Sequence, residues 1–413
     1  MKMSIHDSRA RISLRTSRPE TYTSKWESFI NSLLMYVVIQ FPVSSMLKVY
    51  ISPLNTLLTA LLFLLFFAYY VYNRFYIQQF LLALYILFTL LYNIVACNGH
   101  FYEDNMLFYL PCLLLFFNYI KSAKNHIIQF VRVHKLYVDV ILIIWMLMVI
   151  PSFFMSSCYV YEGETRGFVS FAGTTFLLSS MSVYIFALLT LQYYLHRKTV
   201  YALALVVPSL CILMGTTRTY LAVLFCAWAV FIYLLLDNKK AFAPIVLIAM
   251  IAFLLIVVAS PISEKFINTA DRASTGMDPI KAFTSGRSDF WAYDVQQILS
   301  SNPINILIGH GSNWLYEVNR AQFNVPLWAH NDFIQIASDY GFIGLIVYLG
   351  SFASLYKTVI KGRHHGALIM LILVVMWAFN AFFNMFYTYF CAMLSYPIYL
   401  LMISEDFDKA ATE

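Results

Sequence analysis

Apolar residues along this chain fall in long blocks rather than in alternation with polar ones. Runs of about 20 mostly apolar residues recur, and about 20 residues of helix cross the ~30 Å hydrocarbon core of a bilayer. On that ruler, membrane helices are expected near 28–47, 52–72, 77–96, 104–120, 136–155, 171–195, 199–214, 219–236, 241–260, 340–358, 366–386 and 387–404. The pattern predicts an all-α polytopic membrane protein of about twelve transmembrane helices. It divides the chain into a cytoplasmic N-terminal segment (1–27), a transmembrane bundle (28–260), a large extracytoplasmic loop with short helices (261–331), C-terminal transmembrane helices (332–404) and a cytoplasmic tail (405–413). Two shorter polar intervals remain. Residues 121–135 mix Lys121, Lys124, Arg132 and Lys135 with Ile127, Ile128, Phe130 and Val131, as an amphipathic surface helix or a solvated connector would. Residues 156–170 are a short outer loop. The first apolar run begins only near Phe29, has no small-residue cleavage site after it, and reads as a retained helix.

Composition sharpens this picture. The chain of 413 residues is 61% apolar and only 12% charged, against about 25% charged in soluble domains. Its 36 Phe and 30 Tyr suit helix contacts and interfacial belts. The net charge of +6 is spread over short loops, which speaks against nucleic acid as a partner.

Charge also sets orientation. Most of the 27 basic residues lie in the N-terminal segment and in alternate loops: Arg74; Lys121 to Lys135; Arg197 and Lys198; Lys239 and Lys240; Lys357, Lys361 and Arg363; and Lys409. The positive-inside bias then puts both termini in the cytoplasm and residues 261–331 outside. Of the six cysteines, Cys97 and Cys158 fall near expected outer ends, where a disulfide is one option and two separate thiols the other.

Chemistry has few places to sit. The expected spans carry almost no ionisable residues, which argues against an ion-coupled transporter. No His-x-x-x-His, Cys-x-x-Cys or Gly-x-Ser-x-Gly pattern occurs, so the sequence points to neither a metal nor a serine nucleophile. Arg218 stands in Gly215-Thr216-Thr217-Arg218-Thr219, between two spans on the outer side. Arg287 opens a helical pattern carried by Trp291, Val295, Ile298 and Leu299, with Asp289 and Asp294 suited to its first turns and Asn302-Pro303 ending it. An Arg at a helix N-terminus suits a phosphate; its other reading is a surface residue on a capped helix. His310 lies in a glycine turn, Gly309-His310-Gly311, and reads first as a loop residue. His330 precedes Asn331 and Asp332 just above an apolar run, where an imidazole suits a general base or an interfacial cap equally.

Taken in order, Gly286-Arg287, Trp291, Asn302-Pro303, Gly309-His310-Gly311, His330-Asn331-Asp332-Phe333 and Asp339-Tyr340-Gly341-Phe342-Ile343-Gly344 resemble the signature of the O-antigen ligase and Wzy-type polymerase superfamily. The resemblance implies glycan transfer from an undecaprenyl-diphosphate carrier to a sugar hydroxyl, without a cofactor or metal. The reaction would occur at the outer face of a bacterial cytoplasmic membrane. It implies His330 as the base on the acceptor and Arg218 and Arg287 as holders of the diphosphate, with Asn331, Asp332 and His310 in support. Thr-Thr-Arg-Thr at Arg218 departs from the family's more common Ser-Arg pair. A polymerase of lipid-linked repeat units for capsule, exopolysaccharide or O-antigen is the first expectation, with a flippase and chain-length regulators as partners. A ligase onto lipid A core is the alternative. A lipid-linked oligosaccharide transporter is the alternative of another class.

Overall fold

The computed structural model describes residues 25–47, 50–72, 77–95, 106–162, 165–236, 238–359 and 366–404. Residues 1–24, Cys97 and the 405–413 tail lie outside them, so the choice between a Cys97–Cys158 disulfide and two separate thiols does too; Cys158 is a buried thiol. Nearly all of the rest is helical. The order is α1 (Lys25–Leu47), α2 (Ser52–Tyr72), α3 (Ile77–Val95), α4 (Met106–Val133) and α5 (Lys135–Ser152), then the strands β1 (Tyr159–Glu162) and β2 (Thr165–Phe168). Next come α6 (Thr175–His196), α7 (Thr199–Ala204), α8 (Val206–Met214), α9 (Arg218–Leu235) and α10 (Phe242–Val258). The former loop region holds α11 (Ile262–Ser274), α12 (Pro279–Phe283), α13 (Arg287–Leu299), α14 (Pro303–Ile308) and α15 (Trp314–Phe323). The chain closes with α16 (Asp332–Val359), α17 (Gly366–Phe383) and α18 (Phe390–Met402).

Burial sorts these helices by their surroundings. α6 sits at the centre, packed on α8, α9 and α18, with Leu178 to Gln192 buried throughout. α9 also packs on α17, α1 on α2, and α4 on α2 and α16. α10 is apolar on every side, yet only Phe242 and Val257 are buried, and Ile248, Leu254, Leu255 and Val258 stand exposed. A helix apolar all round and bare on the outside fits lipid as its solvent. Among the described residues, five helices are long and apolar enough to cross a membrane: α1, α5, α6, α9 and α16. A sixth span is possible if α10 and α11, bent by 80°, count as one. The other expected spans fall on shorter apolar helices.

Three local features depart from expectation. Residues 121–133 do not form a separate surface helix. They continue α4 without a break, and Ala123, Ile127, Ile128, Phe130 and Val131 are buried against the bundle. Apolar contact across the i, i+4 face extended the helix past the point where the hydropathy dropped. The expected outer loop 156–170 contains an antiparallel hairpin, Tyr159 facing Phe168. Its ring contact between Arg166 and Tyr159 spans 4.1 Å. Finally, the helix expected near 340 begins earlier, at Asp332, and is broken at Gly341 (φ 67°).

That break places the site. A Cβ at Gly341 would run into the carbonyl of Leu307, and one at Gly309 into the carbonyl of Asp339. The His310 N–H donates to Ser338 O (2.7 Å) and the Gly311 N–H to Asp339 O (3.1 Å). The loop after α14 therefore lies backbone against backbone on α16, an approach only glycine permits. The two Gly-containing motifs of the sequence meet here as a packing joint.

Candidate active site

Arg218 and Arg287 are both the first residues of helices. Thr217 is the extended N-cap of α9, and Gly286, at φ 84°, is the left-handed N-cap of α13. The two guanidinium groups line one cavity of about 350 Å3. α11 contributes Lys265 and Arg272 to the same wall, and Phe176, Phe283 and Phe383 supply aromatic surface. No Asp or Glu is among the lining residues. Arg218 Nη1 donates to Thr269 Oγ1 (2.9 Å) and Nη2 to Ser285 Oγ (2.8 Å), both neutral acceptors. Arg287 Nη1 donates to Phe383 O (2.6 Å), and its guanidinium lies 5.9 Å from the Phe176 ring centre. Cations concentrated in a partly enclosed, carboxylate-free cavity attract anions, and two Arg forks suit phosphate oxygens.

His330 is beside this cavity rather than in its wall. The indole of Trp291, one turn along α13 from Arg287, donates to Ala329 O (2.6 Å), tying the residue before His330 to the arginine's helix. The Ala329 N–H in turn donates to Gln335 Oε1 (3.0 Å), and Gln335 Nε2 donates to both Asp339 carboxylate oxygens (3.0 Å each). Asn331 Oδ1 accepts from the Phe333 and Ile334 N–H groups and caps α16. Held from both sides, His330 adopts a left-handed φ of 49°, and its Nδ1 is buried without a hydrogen-bond partner. Burial, helped by the nearby Arg287 charge, lowers its pKa to about 3. The ordinary value near neutrality expected from sequence does not hold: the imidazole is neutral, a form that can accept a proton.

The supporting residues separate by place. Asp332 is fully buried and accepts from the Tyr348 hydroxyl (2.5 Å), which also accepts from Trp377 Nε1 (3.0 Å). It braces α16 and does not line the cavity. His310 is no loose loop residue: it stacks on Trp314 at 3.7 Å, and its Nε2 pairs with Ser301 Oγ at 2.8 Å. Burial lowers its pKa too. It belongs to the glycine joint and not to the cation cavity. Asp294 is not a first-turn residue but a fully buried one in mid-helix, and burial raises its carboxyl to about 7 against a smaller pull from Asn319. Asn302 and Pro303 follow the end of α13 at Leu299, and Asn302 also caps α14 by accepting from the Asn305 N–H (2.9 Å).

Sequence reasoning passed over Lys265, Arg272 and Thr216. Lys265, Thr269 and Arg272 recur at i, i+4, i+7 on α11, a signal of one shared face that was present in the sequence. Nothing in the sequence marked Thr216. Among the described residues, no cluster of three or more metal-ligating side chains occurs.

Compared with known proteins, residues 203–349 match the family model described as O-Antigen ligase. The match runs from α7 into α16 and takes in Arg218, α11, Arg287, His310 and His330. No curated protein matches the chain.

Proposed function

We propose, from an O-antigen ligase domain at residues 203–349, that this protein polymerises undecaprenyl-diphosphate-linked oligosaccharide repeat units at the outer face of a bacterial cytoplasmic membrane. The observation that carries this reading is the shared cavity of Arg218 and Arg287, with neutral His330 fastened to the Arg287 helix through Trp291. In the reaction, an acceptor sugar hydroxyl attacks the anomeric carbon of the donor glycan. The new C–O bond forms as the bond to the diphosphate breaks, and the electron pair leaves with the lipid diphosphate. His330 takes the hydroxyl proton and releases it to water. The two arginines hold the diphosphate where its charge grows, which is where fixed donors accelerate most. The twelve-span arrangement, cytoplasmic termini and association with a flippase and chain-length regulators form part of this proposal. A ligase reading is favoured by the description of the matched family and differs only in the acceptor.

The test uses purified protein and a lipid-linked repeat unit, with and without lipid A core, resolved on a gel. A ladder without core is the expected result. A single transfer that requires core would make the protein a ligase. No transfer in either arm would remove the glycosyltransferase reading.

A further inference from the structure

Thr216 is strained, buried and unsatisfied at once. Its φ is 54°, a region that β-branched side chains almost never enter. It has 0% exposure, and its Oγ1 has no hydrogen-bond partner. A buried hydroxyl left unpaired costs about 1–3 kcal/mol, and strain of this kind persists where surrounding structure enforces it. The surroundings do so here. A Cβ at Gly167 of β2 would come within 2.7 Å of Thr175 Cγ2 and 3.2 Å of Thr216 Oγ1, so the hairpin backbone lies close over the Thr216 turn, and Ser179 Oγ holds the neighbouring Thr217 Oγ1 at 2.7 Å.

The consequence is an uncapped helix facing the cavity. Because Thr217 Oγ1 is engaged with Ser179, α9 has no side-chain N-cap. The backbone N–H groups of Arg218 and Thr219 have no acceptor within the helix, and the positive end of an 18-residue helix points the same way. Thr216, Thr217, Arg218 and Thr219 all line the cavity, with Thr216 fully buried. An oxygen anion at that point would satisfy three donors that the protein alone leaves open.

We propose that the Thr216 hydroxyl and the Arg218 and Thr219 backbone N–H groups form an oxyanion site for one phosphate oxygen of a diphosphate, distinct from the arginine side-chain contacts. This inference rests on the diphosphate reading of the cavity. It explains Thr at a position whose backbone disfavours it: the side chain supplies a buried, unpaired O–H in the wall that also holds the helix terminus.

The experiment titrates farnesyl diphosphate and inorganic pyrophosphate into the purified, full-length protein in detergent by calorimetry. Wild type, Thr216→Val and Thr216→Ser are compared, with Tm followed in parallel. Thr216→Val should weaken both ligands by about 10–100-fold, the effect of losing one hydrogen bond to a charged group. Its Tm should hold or rise, since an unpaired buried hydroxyl has been removed. Thr216→Ser should recover most of the lost affinity. If Thr216→Val does not fold, Thr216→Ala carries the same comparison. Wild-type affinity in the folded Val or Ala variant overturns the oxyanion site and leaves the diphosphate reading standing. Failure of the wild type to bind either ligand overturns both. Loss of farnesyl diphosphate binding alone, with pyrophosphate unchanged, also overturns the site, because it would mean that the residue senses the lipid.

Discussion

Arg218 and Arg287 approach the cavity from different helices, and each carries a charge that the other cannot reposition to replace. Under the proposed mechanism, Arg218→Ala and Arg287→Ala should each lower transfer by ~10²–10³ while the protein still inserts. Lysine should rescue only partly, for want of a planar fork. Near-normal polymer at matched protein level would remove that residue from the site. His330→Ala should lower transfer by ~10²–10⁴. The pH profile separates a buried base from an exposed one. With its pKa near 3 in the free protein, His330 stays unprotonated over the working range, so kcat/KM should show no acid limb near pH 6.5. A bound diphosphate brings negative charge to Arg287's side of the imidazole, which raises the pKa in the complex. The acid limb of kcat should therefore lie at higher pH than that of kcat/KM. An acid limb of kcat/KM at the ordinary imidazole value would show that His330 is not the base or is not buried as described. At this scale the helix-start position of Arg287 was legible, because the apolar periodic run after it marks a helix. The burial of His330 and Asp294 and the twist at Thr216 were not, because they depend on contacts from residues far away in sequence.

At the scale of elements, the apolar blocks located the long helices, since twenty consecutive apolar residues have one favourable state in lipid. What escaped were elements defined by pairing. The hairpin of β1 and β2 depends on cross-strand partners, and the extension of α4 past Ile120 depends on the bundle that buries its far half. The glycine joint shows the same limit: Gly309 looked like a turn residue and Gly341 lay at the start of an expected helix, and their shared role emerges only when the loop after α14 lies on α16. Gly309→Ala and Gly341→Ala should each destabilise by at least about 3 kcal/mol, because a Cβ meets backbone that cannot move aside and the positive φ adds strain. Thermal unfolding in detergent measures this. A Tm within a degree or two of wild type for either variant would mean that the joint opens readily.

For the whole molecule, the proposed orientation can be read with a membrane-impermeant thiol reagent on intact cells. Cysteines replacing Ser274 and Gln322, both exposed, should label; those replacing Lys198 and Asn238, also exposed, should not. Labelling of the second pair would invert the topology and put the cation cavity on the wrong side for a lipid-linked donor exported from the cell. The glycine joint also decides how the machine can work. His330 and the loop after α14 are riveted to α16, and through Asp332 and Tyr348 to α17. The far wall of the cavity, α11 and α12, follows an 80° bend after α10 and is tied to α9 by side-chain hydrogen bonds from Arg218 to Thr269 and Ser285. The two walls differ in what holds them: backbone against backbone on α16, and side-chain hydrogen bonds on the α11 side. Under the proposed mechanism the base would keep one fixed place on α16 at every turnover, so each added repeat unit would have to be fed to it by sliding the glycan.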